Sequence, residues 1–148
     1  RIYAIINDFA IAQPRDSLHE FHLLIFDTVN HENRLHDYSS NRIVDLKNLI
    51  SSLDNGYSQG LTGYLGYNLT SNNGDLIIGQ HVEHSHIHMF MRFNGERKGP
   101  FDKNPSNIKP EYPDRASAAI VTDSIMQNIQ NTQLNTYTRS NQQVRKPV

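Results

Sequence analysis

None of the chain's 148 positions is a cysteine. That absence excludes disulfides, thiolate nucleophiles and every zinc site built on cysteine. Small secreted domains usually need such staples, so their absence points to the cytosol. An excess of one charge is also missing. Fourteen Lys and Arg stand against 15 Asp and Glu, a net charge of −1, and no overall basic field draws the chain to nucleic acid or to an acidic membrane. No apolar run approaches the roughly 20 residues of a membrane span, and the N-terminal residues carry no signal-peptide pattern. Hydrophobic residues make up only 36% of the chain. That supports one modest core in a chain of single-domain length.

Local patterns give the expected elements. Residues 2–6 and 9–12 are short apolar stretches, and Asn7-Asp8 between them is a turn. Residues 13–20 read as a loop, and residues 21–26 are compact and apolar enough for a buried strand. Ser39 and Ser40 are N-cap candidates. Behind them Ile43, Leu46, Leu49, Ile50 and Leu53 recur at helical spacing, and Asn55-Gly56 is expected to end that helix. Residues 61–69 read as a strand, Asn72-Asn73-Gly74 as a tight turn, and residues 81–93 as one long strand. Residues 94–113 have little core content and read as a surface excursion. Residues 114–130 form a second helix, with Ala118, Ala119, Val121, Ile125 and Ile129 available to pack. The Asn/Gln-rich remainder is expected to be a weakly attached polar tail, which divides the chain into a domain at 1–130 and a tail at 131–148. Asn68-Leu69-Thr70 matches the glycosylation sequon.

The chemistry concentrates in Gly79-Gln80-His81-Val82-Glu83-His84-Ser85-His86-Ile87-His88. On a strand, alternate side chains share a face, so this spacing puts His84, His86 and His88 on one side, and Ile87, Met89 and Met91 on the other. Histidine is not a favoured strand residue, and its charge changes near neutral pH. Three readings compete. One is a surface strand that happens to carry histidines. A second is a metal site. Alternate residues lie ~6.6 Å apart along a strand, and the outer pair ~13 Å apart, too far for all three to converge on one ion with bonds of ~2.0 Å, although two could chelate. The third is a phosphate site, in which one imidazole attacks phosphorus and its neighbours donate to the oxygens.

Together with Asn72-x-Gly74 before it and Arg92 after it, this run resembles the signature of the histidine triad (HIT) family. Phe21-His22-Leu23-Leu24-Ile25 followed by His31, and Leu35-x-Asp37-x-Ser39 ahead of the helix, resemble that family's upstream segment. The resemblance implies a single-domain α+β fold, with an antiparallel sheet and packed helices. It also implies a homodimer that binds nucleotides and cleaves at the α-phosphate through a nucleotidyl-histidine intermediate. By that resemblance His86 is the nucleophile, His84 orients it, and His88 contacts phosphate oxygens. His22 joins the same cluster, Asn72 and Gln80 match phosphate-site positions, and His81 stands near the leaving group. No cofactor is implied in the covalent step, with Mg²⁺ allowed beside a polyphosphate substrate. The departures are specific. Four residues separate Gly74 from Gly79 where the family has three, Asp27-Thr28 replaces Pro-Lys, and His31 comes one place late. Ile11 and Ala12 stand where an acid would hold the ribose, which leaves Asp8, Gln13 or Asp16 as substitutes. A nucleotide-binding protein without turnover and a metal-binding protein are the alternatives. His19, His31 and His36 read as surface or capping residues, and the tyrosines of residues 57–67 as packing.

Overall fold

A computed structural model of the chain describes residues 1–15, 21–74, 84–94 and 115–145. Five strands form one antiparallel sheet: β1 (Ile2–Ile6), β2 (Phe9–Ala12), β3 (His22–Asp27), β4 (Tyr64–Thr70) and β5 (His86–Phe93). Their order across the sheet is β1-β2-β3-β5-β4. Two helices complete the α+β fold, α1 (Ser40–Gly60) and α2 (Arg115–Arg145).

The β1–β2 hairpin turns where the sequence predicts. Asn7 and Asp8 both take positive φ, 51° and 65°. Their short polar side chains tolerate this left-handed region, which matches the strand twist. Thr28 ties the end of β3 to the same turn by giving its N–H and its hydroxyl to the Asp8 carbonyl, each at 2.8 Å.

Ser39 caps α1, its hydroxyl accepting the Arg42 N–H at 3.3 Å. Leu46, Leu49, Leu53 and Tyr57 then bury one stripe against the sheet. Asn55-Gly56 does not end the helix, which runs on to Gly60. The reason is a close helix crossing. A Cβ at Gly56 would lie 2.9 Å from Ile125 Cγ2 and 3.1 Å from Ile129 Cδ1 on α2. Glycine is needed there for proximity, not for left-handed geometry. Tyr57 continues the buried stripe and shares a 2.7 Å hydrogen bond with Thr122 of α2. The helical backbone of α2 also carries on beyond residue 130, through most of the segment expected to be a loose tail.

Sheet parity divides the work. Leu23, Ile25, Ile87, Met89, Met91 and Phe93 point to the helices and form the core with the α1 stripe and with Ile125, Met126 and Ile129. His22, His86, His88 and Phe90 occupy the opposite face, as their register across β3 and β5 requires. Residues 16–20, 75–83 with Gly79-Gln80, 95–114 and 146–148 lie outside the described residues. The sequon asparagine is engaged inside the sheet, where Asn68 Oδ1 accepts from Arg92 at 2.7 Å. Among the described residues no helix is long and apolar enough to cross a membrane.

Candidate active site

Three imidazoles gather on the sheet face away from the helices. His86 stands opposite Phe26 in the β3–β5 ladder, His88 opposite Leu24, and His22 opposite Phe90. His86 is 5% exposed and His22 4%, while His88 is half-buried. Groups this buried keep their polar atoms paired. His22 Nε2 and His88 Nδ1 are 2.8 Å apart. One of them must carry the shared proton. The His22 ring also stacks on Phe90, with centroids 4.2 Å apart and an interplanar angle of 23°. The His86 and His88 rings meet edge-on, 5.1 Å apart at 78°.

Among the described residues the long strand expected over residues 81–93 begins at His86. Ser85 gives its N–H to the Glu32 carbonyl at 2.6 Å instead of to a neighbouring strand, so the ladder starts one residue later. His84 therefore lies off the strand, and simple alternation does not place it. Its ring stacks on His31 at 5.0 Å and 23°, and lies 5.9 Å from Phe26. Its backbone does more for the site than its ring. The His84 carbonyl accepts from His86 Nδ1 at 3.4 Å. A carbonyl can only accept, so this contact needs the proton on Nδ1 and leaves the Nε2 lone pair of a neutral imidazole available.

The segment after β4 closes one side. Ser71 donates its hydroxyl to the His86 carbonyl at 3.3 Å, and Asn73 donates to Ser71 Oγ at 3.0 Å. Asn73 Oδ1 in turn accepts the Leu35 N–H at 2.6 Å. Asn72 thus sits in a half-buried segment fastened to the histidine strand. Gln80 and His81 lie outside the described residues. Of the proposed ribose acids, Asp8 is exposed in the hairpin turn, Gln13 is half-buried and Asp16 is outside the described residues, while Ile11 and Ala12 are buried in β2. His31 is exposed as expected, yet its ring covers His84.

A polar cluster that the sequence reading passed over supports this corner from behind. Asp27, 1% exposed, accepts the N–H groups of Val29 and Asn30 and the Arg42 Nε–H at 2.7–2.8 Å. Burial pushes its pKa up, but the Asn30 and Val29 amides and Arg42 together outweigh that and hold it below the ordinary carboxylate value. Arg42 also reaches Asp45 Oδ2 and the Asn7 carbonyl, each at 3.0 Å, and lies 4.0 Å over the Phe9 ring. An Arg three residues past a capping Ser, and an Asp closing an apolar strand, are the signals that could have found this pair. The spacing between them in sequence gives no hint that they meet. Among the described residues no three metal-ligating side chains converge on a point that could hold an ion.

Comparison with known proteins yields the fold. No protein-family model matches the chain, and no curated protein is significantly similar to it. Solved structures do match. A zinc-bound histidine triad family protein from Mycobacterium smegmatis superposes with a TM-score of 0.61 at 18% identity, over 89% of this chain and 88% of that one. A hypothetical histidine triad nucleotide-binding protein from Sulfolobus tokodaii gives 0.62 at 16%, over 87% and 85%. The Plasmodium falciparum diadenosine triphosphate hydrolase, solved with cyclomarin A, gives 0.55 at 17%, over 88% and 76%. The chain has the histidine triad fold.

Proposed function

We propose that the protein is a nucleotide hydrolase or nucleotidyl transferase of the histidine triad type, with His86 as its nucleophile. The observation that carries this reading is the pairing of His86 Nδ1 with the His84 carbonyl. That contact fixes the tautomer of a buried imidazole and presents Nε2 for attack. In the first step Nε2 bonds to the α-phosphorus, and the bond from phosphorus to the leaving group breaks. A nucleotidyl-His86 phosphoramidate results, and the leaving group departs with a proton given by the His81 imidazole. Water or an acceptor alcohol then attacks the same phosphorus and releases His86. His88, held at Nδ1 by His22, turns its Nε2 towards the phosphate oxygens, where an N–H donor stabilises the crowded transition state. His84 orients His86 through its backbone carbonyl; Asn72, Gln80 and His81 complete the phosphate and leaving-group contacts. No metal enters the covalent step, and Mg²⁺ accompanies only polyphosphate substrates. The class of substrate is a nucleoside phosphoramidate, a dinucleoside polyphosphate or a related ester.

The working unit in this reading is a homodimer. Among the described strands β4 is a sheet edge, and Leu65, Tyr67 and Leu69 on it are exposed at 70%, 38% and 41%. An uncharged apolar edge of this kind favours pairing with another strand. The decisive experiment is intact-protein and peptide mass spectrometry after incubation with a panel of nucleotides and an acid-free quench. An adduct of nucleoside monophosphate mass on the His86 peptide is the expected result. Tight nucleotide binding without any adduct would favour a binding module without turnover, a reading prompted by the apolar Ile11 and Ala12 where a ribose acid would stand.

A further inference from the structure

The last side-chain torsion of histidine is broad, so the residue's own stereochemistry does not choose the plane of its ring. In this site neighbours make that choice. The His84 carbonyl makes it for His86, and His22 makes it for His88 across 2.8 Å. A hydrogen bond between two ring nitrogens is directional, so it survives only while His22 keeps one plane. Phe90 supplies that plane. It stands directly opposite His22 in the β3–β5 ladder and is 2% exposed. Its ring lies 4.2 Å from the His22 ring at 23°, and 6.4 Å from the His88 ring at 19°. One buried aromatic is thus nearly parallel to both members of the pair, a favoured arrangement of flat rings. Packing leaves a ring so buried no room to swing away. On its other side Asn68 stands opposite Phe90 in β4, its carboxamide held by Arg92 at 2.7 Å.

We propose that Phe90 is a positioning residue of this site: its ring fixes the plane of His22 and, through His22, the tautomer and aim of His88. With His22 in plane, its Nε2–H points at His88 Nδ1. A nitrogen that accepts carries no proton, so the proton of a neutral His88 sits on Nε2. From there it is given to a phosphate oxygen. When His22 turns, His88 Nδ1 is released to take the proton, and Nε2 then offers a lone pair to an anion. An aliphatic side chain fills the same space but has no flat face to hold the His22 ring. The tautomer assignment stands on geometry alone; only its benefit to phosphoryl transfer rests on the function proposed above.

Imidazole ¹⁵N NMR on the full chain tests this, with Phe90→Leu as the variant and Phe93→Leu as its control. Phe93 is 3% exposed on the same strand but packs in the core, 4.6 Å from Phe21. Its truncation is a comparable packing loss away from the histidines. Wild type should show His88 as a single Nε2–H tautomer and a ¹⁵N–¹⁵N coupling across the His22–His88 bond. Phe90→Leu should lose the coupling and give both His88 tautomers. Phe93→Leu should keep the wild-type pattern despite a similar loss of stability in urea. Phe90→Met, which keeps apolar bulk in a flexible chain, replaces the Leu variant where that one does not fold. A mixed His88 tautomer in wild type, an unchanged one in the Phe90 variant, or an equal change in Phe93→Leu overturns the positioning role. Turnover gives a second arm. In Phe90→Leu kcat should fall about tenfold with KM within about twofold, because the lost interaction belongs to the transition state. A change in KM alone overturns the proposal. A protein that forms no nucleotide adduct overturns the proposed function instead, and the NMR arm still decides the role of Phe90.

Discussion

Arg42→Met tests whether the buried ion pair behind the histidines supports the site. The Asp27 side chain is 0% exposed and that of Arg42 only 14%. Methionine keeps an unbranched apolar chain but removes the guanidinium above Phe9, the 2.7 Å bond to Asp27 and the 3.0 Å bonds to Asp45 and Asn7. Breaking a buried pair from one side costs about 3–5 kcal/mol, because the remaining charge is left uncompensated. Asp27 keeps its two backbone N–H donors, which places the loss near the low end, about 3 kcal/mol. For a chain of this length that is a fall in Tm of roughly 10 °C. The pH dependence gives a sharper check. Asp27 has a depressed pKa in the folded protein, so its contribution is present above its unfolded pKa and is lost as pH falls through the folded one. In the variant the carboxyl is buried without its guanidinium, its folded pKa rises, and protonation relieves the strain. The stability gap between wild type and variant should therefore narrow on acidification below about pH 4. Asp27→Asn combined with Arg42→Met should be more stable than Arg42→Met alone. Urea unfolding at neutral and acidic pH reads all of this. A loss under about 1 kcal/mol at pH 7, or a gap that widens with acid, would refute the reasoning.

Further expectations concern the imidazoles and the helix crossing. His86→Ala should abolish the nucleotide adduct and lower turnover by on the order of 10³-fold or more, measured by steady-state release of nucleoside monophosphate. His22→Leu fills much of the ring's space but cannot share a proton with His88. Turnover should fall by about 10²-fold in the same assay. Tyr67→Lys on the exposed β4 edge should convert a dimer to monomer in sedimentation velocity without lowering monomer stability. Gly56→Ala sets a gain of about 1 kcal/mol in helix propensity against overpacking of about 1–3 kcal/mol. The near atom, Ile125 Cγ2 at 2.9 Å, belongs to a stiff β-branched side chain, so a net loss of about 1 kcal/mol is expected in thermal unfolding. Gly60→Ala, with its nearest contact at 3.2 Å, should be close to neutral.

Much of the sheet and part of the site were legible in the sequence, for identifiable reasons. Hairpin turn residues and apolar runs specify β1, β2 and β3 locally, and the cap at Ser39 marks the start of α1. The end of α1 was misread because Asn55-Gly56 has two meanings. The dipeptide fits a helix terminus, but the deciding contact comes from Ile125 and Ile129 on α2, some 70 residues later in the chain. Parity along residues 86–93 correctly separated histidines from core. At His84 the strand has not yet begun, because Ser85 bonds to Glu32, yet its ring still lies 5.9 Å from Phe26, the β3 residue opposite His86. The Asp27–Arg42 pair and the Phe90 stack under His22 were missed because each joins segments with no mutual spacing rule.

The alternation in β5 explains why one strand can serve both the core and the chemistry. Shifting its pairing by one residue would bury His86 and His88 under the helices and turn Met89 and Met91 outward. That register is pinned from both neighbours, by β3 along residues 22–26 and by β4 along residues 67–70. It is also pinned at its first residue, where Ser85 is tied to Glu32 and Ser71 to the His86 carbonyl. The same contacts that set the register set the His84 carbonyl against His86 Nδ1. The orientation of the His86 ring is thus tied to strand registration, and a change that loosens the loop at residues 28–33 should reach His86 without replacing any histidine. Replacing Asn30 by Ala is the mildest such change. It removes the 3.3 Å side-chain contact to Asp27 while keeping the backbone donor. It should cost under about 1 kcal/mol of stability. If registration governs the His86 ring, it should still raise the fraction of the Nε2–H tautomer in ¹⁵N spectra. An unchanged tautomer would mean that the strand alone, not the loop, holds the ring.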